Sequence, residues 1–174
     1  EVLAVWKEFT GGAGSHSSIA EVHVDGAEVL YSKDNGGCKE EDASREVMEV
    51  SDINGVYKAQ SADRIPASFT TVCVDSKLGP AEPMWRQLNN GAQWYKHTTN
   101  DSYIYHNTGD GKWWIDGPSG LGVFVVDAYR GNLATTAVPA HGWTFLGKAD
   151  GGSIQVLPPM VRTFRHVSAW GKTS

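Results

Sequence analysis

The stretch that decides the fold is QWYKHTTNDSYIYHNTGDGKWWID, residues 93–116. Runs of aromatic and β-branched residues alternate in it with short clusters of Thr, Asn, Asp and Gly. That alternation is typical of strands joined by tight turns. It predicts three neighbouring antiparallel strands, joined by turns at residues 98–101 and 107–111.

The lengths of these turns predict how the three strands pair. A four-residue turn at 98–101 places Tyr95 opposite Ile104. A five-residue turn at 107–111 places Ile104 opposite Trp114. The two registers agree with one another, so the strands are predicted to form one continuous meander.

Because side chains alternate along a strand, this register sorts the residues onto two faces of the sheet. One face is predicted to be core and carries Trp94, Lys96, Tyr103, Tyr105, Trp113 and Ile115. The other mixes aromatic and polar side chains and carries Gln93, Tyr95, His97, Ile104, His106, Lys112, Trp114 and Asp116. Mixed faces of this kind are typical of recognition surfaces. A bulge of one residue would exchange the faces from that point onward.

From the mixed face we predict a partner-binding site formed by Tyr95, Trp114, His106, Asp116 and Lys112. The rings would supply contact area, and the polar side chains would orient the partner. The alternative is that an N-terminal hairpin lies over Tyr95 and Trp114 and makes them a second layer of core.

The rest of the chain also favours strands. Twenty glycines and seven prolines interrupt the 174 residues at short intervals, which predicts an all-β protein, an antiparallel meander forming a small sandwich or barrel. Further strands are predicted at residues 18–24 and 27–32, as a hairpin, and at 56–58, 69–74, 84–88, 123–129, 135–138, 154–157 and 161–167. At most one short helix is predicted, near residues 40–50, and a strand at 45–51 fits that segment equally well.

A chain of 174 residues has the length of a single domain. Eleven of its eighteen aromatic residues lie between Trp85 and Phe145, so one core is predicted there. We expect residues 52–174 to form an aromatic-rich β domain. Residues 1–51 are expected to form an N-terminal hairpin or extension that packs on this core or projects from it.

Composition excludes several classes of partner. The net charge of −5, without a cluster of Lys and Arg, argues against nucleic acid. No apolar run is long enough for a membrane span.

The chain opens on Glu1 rather than Met, which predicts that its N-terminus is processed. Processing in turn predicts that the protein is secreted or lies in the lumen of an organelle such as a plastid. The glycosylation sequon at Asn100 is consistent with secretion.

The cysteines and histidines do not form a recognisable metal site. Cys38 and Cys73 could form one disulfide, or Cys73 could be a buried small residue and Cys38 a loop thiol. The six histidines are scattered, and the two on the mixed face, His97 and His106, would lie roughly 13 Å apart at the rise of a strand. Neither a metal nor a cofactor is predicted.

Catalytic motifs are also missing, since neither a Gly-x-Ser-x-Gly nor a Gly-x-Gly-x-x-Gly pattern is present. We therefore predict a module that is not an enzyme. Two alternatives stay open. In a lectin-like domain, Trp114 or Tyr95 would stack on a sugar ring. In a small hydrolase, Asp110, Asp116 or His106 would do acid–base work.

Several short motifs appear in a characteristic order along the chain. They are Ile53-Asn54-Gly55-Val56-Tyr57, Pro83-Met84-Trp85, Trp94-Tyr95-Lys96-His97, Tyr103-Ile104-Tyr105, Trp113-Trp114-Ile115 and Pro139-Ala140-His141-Gly142-Trp143. Over residues 53–147 this order resembles a small aromatic-rich β domain of protist, algal and marine invertebrate proteins. The resemblance implies an accessory subunit or adaptor that binds a protein partner or a larger complex, for example at the periphery of an algal plastid complex. Trp85, where that family often has Tyr, and an insertion at 61–82 depart from the pattern.

Overall fold

The protein is an all-β antiparallel fold. The structure, a computed structural model, describes residues 19–31, 49–127, 137–147 and 154–165. Its main sheet has eight strands in the order β10-β1-β3-β4-β5-β6-β7-β8, and a second sheet pairs β2 with β9. The main sheet curls into a half-barrel. The all-β fold class and the antiparallel pairing of the strands are therefore as predicted.

The elements, in chain order, are bounded as follows. The strands are β1 (Ile19–Asp25), β2 (Glu28–Tyr31), β3 (Gly55–Gln60), β4 (Trp94–His97), β5 (Tyr103–Asn107), β6 (Lys112–Asp116), β7 (Gly122–Asp127), β8 (Thr144–Phe145), β9 (Ile154–Leu157) and β10 (Met160–Arg165). Within the described residues the helices are α1 (Ala67–Asp75) and α2 (Ala81–Asn89), and a 3-10 turn covers Ser51–Ile53.

The curl brings the two ends of the main sheet together. The backbone N–H of Val161, in β10, donates a hydrogen bond of 3.0 Å to the carbonyl of Ala140, just before β8. The concave side, called the inner face here, is filled by a cluster that we call the inner core. Its buried members are Ile19, Val22, Val24, Ala27, Val50, Ile53, Tyr57, Tyr95, Ile104, Trp113, Ile115, Val123, Phe124, Val138, Trp143 and Val161.

A second cluster, the helix-side core, lies on the outer face of the sheet. Its buried members are Phe69, Cys73, Trp85, Trp94, Tyr103 and Tyr105. The ring of Trp85, on α2, lies against four other aromatic rings, with centroid distances between 5.2 and 6.0 Å. Both faces of the sheet are thus buried at Trp94–Tyr95 in β4 and at Tyr103–Tyr105 in β5, which explains why these positions carry large apolar or aromatic side chains without alternation.

The first turn of the meander has the predicted register. His97 and Ser102 close it through a 2.9 Å hydrogen bond from the His97 N–H to the Ser102 carbonyl. Tyr95 pairs with Ile104, as the four-residue turn predicts.

The predicted register of the second turn is wrong by one residue. Asn107 pairs with Lys112, so the turn has four residues instead of five, and Gly111 adopts a left-handed φ of 71° within it. Ile104 consequently faces Ile115 rather than Trp114. Because a shift of one residue exchanges the faces, every side chain of β6 points to the side opposite to the predicted one.

Two predicted strands are helices. The segments 69–74 and 84–88 lie in α1 and α2, although the first is rich in β-branched residues. Each helix begins directly after a proline, Pro66 or Pro80, where the missing N–H costs nothing. Phe69 and Cys73, four residues apart, then face the helix-side core together. Burial of this stripe outweighs the β propensity of the segment.

The predicted N-terminal hairpin is also wrong. β1 lies between β10 and β3, whereas β2 pairs with β9 in the smaller sheet. Gly26 has the expected left-handed φ of 82°, but the turn leads the chain from one sheet to the other. The alternation of β1 is confirmed, since Val22 and Val24 are buried in the inner core.

Some other predictions concern segments at the margins of the described structure. The helix or strand near residues 40–50 and Cys38 fall mostly or wholly outside the described residues. Cys73 is a buried free thiol.

Neither described helix is long and apolar enough to cross a membrane. The predicted strands at 123–129, 154–157 and 161–167 are matched by β7, β9 and β10.

Candidate functional site

The structure divides the five predicted site residues between the two faces of the sheet. Tyr95 and His106 lie on the inner side. Tyr95 is 2% exposed and belongs to the inner core, and burial raises the pKa of its hydroxyl to about 12. His106 is half-buried and meets the ring of Trp113 edge-on, with a centroid distance of 5.4 Å.

The other three residues, Lys112, Trp114 and Asp116, lie on the outer face because they alternate with Trp113 and Ile115. Asp116 is only 5% exposed. Five side chains placed in this way cannot form one docking surface. Trp114 and Lys112, both half-buried, are the two that remain accessible together.

Trp114 is the centre of a partly exposed apolar surface, and its ring also packs against the helix-side core. Its ring packs on Gly122, where an added β-carbon would lie 2.7 Å from Cζ3, and Cδ1 of Leu146 lies 3.0 Å from the same position. Trp114 pairs with Val125 across β6 and β7, and Leu146 is 41% exposed. We call the group of Trp114, Gly122, Val125 and Leu146 the Trp114 surface.

The β5–β6 turn holds the Trp114 ring in place. Oδ2 of Asp110 accepts a hydrogen bond of 2.9 Å from the indole N–H of Trp114. Oδ1 of the same carboxylate accepts the backbone N–H of Lys112, also at 2.9 Å. One turn residue therefore fixes both the turn and the orientation of the indole.

A pair of opposite charges lies beside this surface. Lys112 pairs with Asp127 across the strands, and its Nζ lies 3.6 Å from Oδ1 of Asp127. Both side chains are largely solvated, so their mutual attraction contributes little to stability. They instead place one positive and one negative group at the border of the apolar surface.

A buried polar cluster lies at the end of β6. Asp116 pairs with Tyr103 on one side and with Gly122 on the other. Burial raises the pKa of Asp116 to about 7, the nearby Tyr103 hydroxyl opposes this shift, and Glu49 adds to it. The Tyr103 hydroxyl acts on Asp116 as a hydrogen-bonding neighbour, which favours the ionised carboxylate.

Glu49 ties this cluster to the turn between β6 and β7. Its Oε2 accepts a hydrogen bond of 2.9 Å from Oγ of Ser119. The same carboxylate fills the space beside Gly117, where a β-carbon would lie 2.3 Å from Oε2. On the far side of the turn, Gly120 packs on the backbone of Ser68 in α1. The turn is therefore fastened at both ends.

The motif at 54–57 has a structural role. The side chain of Asn54 donates to the carbonyl of Ala27 and accepts from its N–H, at 2.8 and 3.0 Å. The hydroxyl of Tyr57 donates to the carbonyl of Ile53 at 2.6 Å. Nε2 of His97 lies 2.8 Å from the Asn54 carbonyl. These residues join β1, β3 and β4 and present no free polar group to a ligand.

The final motif also serves the core. The indole N–H of Trp143 donates to the carbonyl of Pro139 at 3.0 Å, and its ring is buried in the inner core. Gly142 has a left-handed φ of 85°, which an L side chain rarely adopts. The motifs at 54–57 and 139–143 thus both make contacts that hold the half-barrel together.

Sequence reasoning missed Glu49, Ser119, Gly122 and Leu146. The run Gly117-Pro118-Ser119-Gly120 signals a turn, but nothing local indicates that Glu49 reaches it across 70 residues. Leu146 carries no sequence signal either, because its role follows from the pairing of β7 with β8.

Within the described part of the chain, no three or more His, Cys, Asp and Glu side chains are placed to hold a metal ion. No family model, curated protein or solved structure matches the chain significantly.

Proposed function

We propose that the chain is a recognition module without catalytic activity, an accessory subunit or adaptor, and that it binds a protein partner through the Trp114 surface. One observation carries this proposal. Of the five tryptophans that the structure describes, Trp85, Trp94, Trp113 and Trp143 are buried, whereas Trp114 reaches the surface. Tryptophan is enriched among the residues that dominate binding energy at protein interfaces.

The neighbours of Trp114 favour a protein partner. Leu146, which is 41% exposed, extends the accessible apolar area beside its ring. The hydrogen bond to Asp110 holds the indole in one orientation, so less side-chain entropy is lost on binding. Lys112 and Asp127 border this apolar centre with charge, as the polar rim of an interface does.

A sugar site would need free polar groups around the ring, and those nearby are engaged. The side-chain oxygen of Asn107 accepts the N–H of Gly109 at 2.8 Å, Lys112 faces Asp127, and Asp116 is buried. This arrangement favours a protein partner over a carbohydrate.

The hydrolase alternative receives no support from the same residues. The carboxylate of Asp110 is held by Trp114 and by the backbone of Lys112. Asp116 is buried on the outer side, and His106 lies on the inner side. General acid–base catalysis needs such groups within reach of one substrate.

The proposal is tested by affinity capture from the native source, followed by titration of the purified partner. The bait is compared with Trp114→Ala and Leu146→Ser. Leu78→Ser, at a side chain that is 54% exposed just after α1, is the matched control. We expect one protein to be retained by the wild type and by Leu78→Ser, and its affinity for Trp114→Ala to fall about tenfold or more.

Two results would overturn the proposal. If the purified partner binds Trp114→Ala as tightly as the wild type, the surface is not the docking site. If no protein is retained and a glycan array gives a signal that Trp114→Ala abolishes, the ligand is a carbohydrate.

A further inference from the structure

We propose that the buried cluster around Asp116 makes the Trp114 surface responsive to pH: the neutral carboxyl keeps the β6–β7 turn and Gly122 packed, and its ionisation loosens them and weakens partner binding. This inference rests on the proposed function for its effect on binding. The coupling between the cluster and the surface is a property of the fold and can be tested without a partner.

The first step is the position of Asp116. It is the last residue of β6, and its direct partner across β7 is Gly122. Gly122 is the residue on which Trp114 and Leu146 both pack. The buried carboxyl of Asp116 is therefore connected to the half-buried ring of Trp114 through a single backbone pairing, that of Asp116 with Gly122.

The second step is that no cation compensates a negative charge on Asp116. Glu49, Tyr103, Tyr105 and Tyr57 act electrostatically on Asp116 or are acted upon by it, and all of them are acidic groups or phenols. Among the described residues, no Lys, Arg or His is among the groups that shift the pKa of Asp116. An ionised carboxyl there is a buried anion without a cation, which is strongly unfavourable.

The third step identifies the turn at 117–121 as the element that can change conformation. The turn at 117–121 is held by the hydrogen bond between Ser119 and Glu49 and by a 2.9 Å backbone bond from the Gly117 N–H to the Leu121 carbonyl. Leu121 is 40% exposed and directly precedes Gly122. Opening this turn lets water reach the Asp116 carboxylate, and it displaces the backbone beneath Trp114 and Leu146.

The direction of the effect follows from the chemistry. Desolvation favours the neutral carboxyl, so a fall in pH favours the closed turn and a rise in pH favours the open one. With a pKa near 7, the neutral fraction falls from about nine tenths at pH 6 to about one tenth at pH 8. If only the closed form binds, the apparent Kd rises about tenfold over this interval.

The test is a pH titration of the ¹⁵N-labelled full chain by NMR, between pH 5 and 9. It follows the backbone amides of Gly117, Gly120 and Gly122 and the indole N–H of Trp114. In the wild type we expect these signals to shift together, with a midpoint near 7. In Asp116→Asn they should not titrate, because the amide stays neutral. Asp75→Asn, at an exposed position at the end of α1, should behave as the wild type.

A second variant keeps the proposal falsifiable if Asp116→Asn does not fold. Glu49→Gln removes the neighbouring like charge, so the midpoint should move to lower pH. If the Trp114 indole signal is flat in the wild type, or titrates unchanged in Asp116→Asn or Glu49→Gln, the proposed coupling is wrong. Such a result leaves the recognition proposal standing, whereas normal partner binding by Trp114→Ala removes that proposal and leaves the coupling.

Discussion

The imidazole of His97 occupies the space that a β-carbon of Gly55 would need. An added β-carbon would lie 2.4 Å from Nε2 of His97, and the same nitrogen lies 2.8 Å from the carbonyl of Asn54. Nδ1 of His97 accepts the N–H of Thr99 at 3.1 Å, so Nε2 carries the proton and donates. One buried histidine thereby joins the start of β3 to the first turn of the meander.

Gly55→Ala should therefore destabilise the protein by more than 2 kcal/mol, as the sum of a strained backbone and an overpacked contact. Gly55 has φ +141°, a value that alanine rarely adopts. The free energy of unfolding in urea measures the loss. Gly91→Ala is the matched control, because its φ is +73° and nothing lies within 4 Å of its added β-carbon. Equal losses in the two variants would mean that the contact with His97 carries no weight.

The contact itself can be isolated by a double-mutant cycle of Gly55→Ala with His97→Ala. Once the imidazole is removed, the alanine at position 55 no longer has a close neighbour, so the double variant should be more stable than the sum of the single losses implies. We expect an interaction energy of about 1 kcal/mol or more. Strict additivity of the two losses would contradict the close packing.

The tryptophans should separate into two groups by stability. Trp85→Ala removes a ring that lies against Phe69, Trp94, Tyr103 and Tyr105, and it should cost about 3–5 kcal/mol. Trp114→Ala removes a half-buried ring and should cost less than half as much. Thermal unfolding of the two variants decides the matter. A loss for Trp114→Ala as large as that for Trp85→Ala would make Trp114 a core residue.

Stability should fall with pH because of Asp116. Its folded pKa of about 7 exceeds the value near 4 that the unfolded chain has. The folded state therefore holds the proton between these two values, and its advantage declines as pH rises through the interval. Between pH 5 and 7.5 the wild type should lose about 2–3 kcal/mol relative to Asp116→Asn. Urea unfolding of both proteins at several pH values measures this difference, and parallel pH profiles would exclude a buried carboxyl with a raised pKa.

Gly122→Ala should disturb the Trp114 surface without removing any of its apolar groups. The new methyl would lie 2.7 Å from Cζ3 of Trp114 and 3.0 Å from Cδ1 of Leu146, so both side chains must move. We expect the indole N–H resonance of Trp114 to shift and partner affinity to fall, with the signals of the inner core unchanged. An unaltered indole resonance would show that the ring does not rest on Gly122.

The local sequence pattern was sufficient to predict β1, β7, β9, β10 and the register of the first turn of the meander. In the second turn, the sequence is compatible with a loop of four or five residues, and the structure has the shorter one, with Gly111 in a left-handed conformation. The difference of a single residue exchanged the faces of Trp113 and Trp114. Register of this kind is a property of the folded sheet as much as of the turn.

The helices and the site depend on contacts distant in sequence. The segment 69–74 is rich in Val and Thr, yet it is a helix because Trp85 and Tyr105 offer Phe69 and Cys73 a surface to cover. Asp116 was expected to be polar and accessible, but the turn that follows it is fastened to Glu49. No local feature of the sequence indicates that contact.

The place of β1 in the sheet has a consequence for biosynthesis. It is the first described strand to leave the ribosome, but one of its two neighbours, β10, is the last. A nascent chain that lacks β10 leaves the edge of β1 open, and an open edge can pair with another chain. The half-barrel can therefore close only after translation has passed residue 165, and a chain truncated before β10 should aggregate rather than fold into a smaller domain.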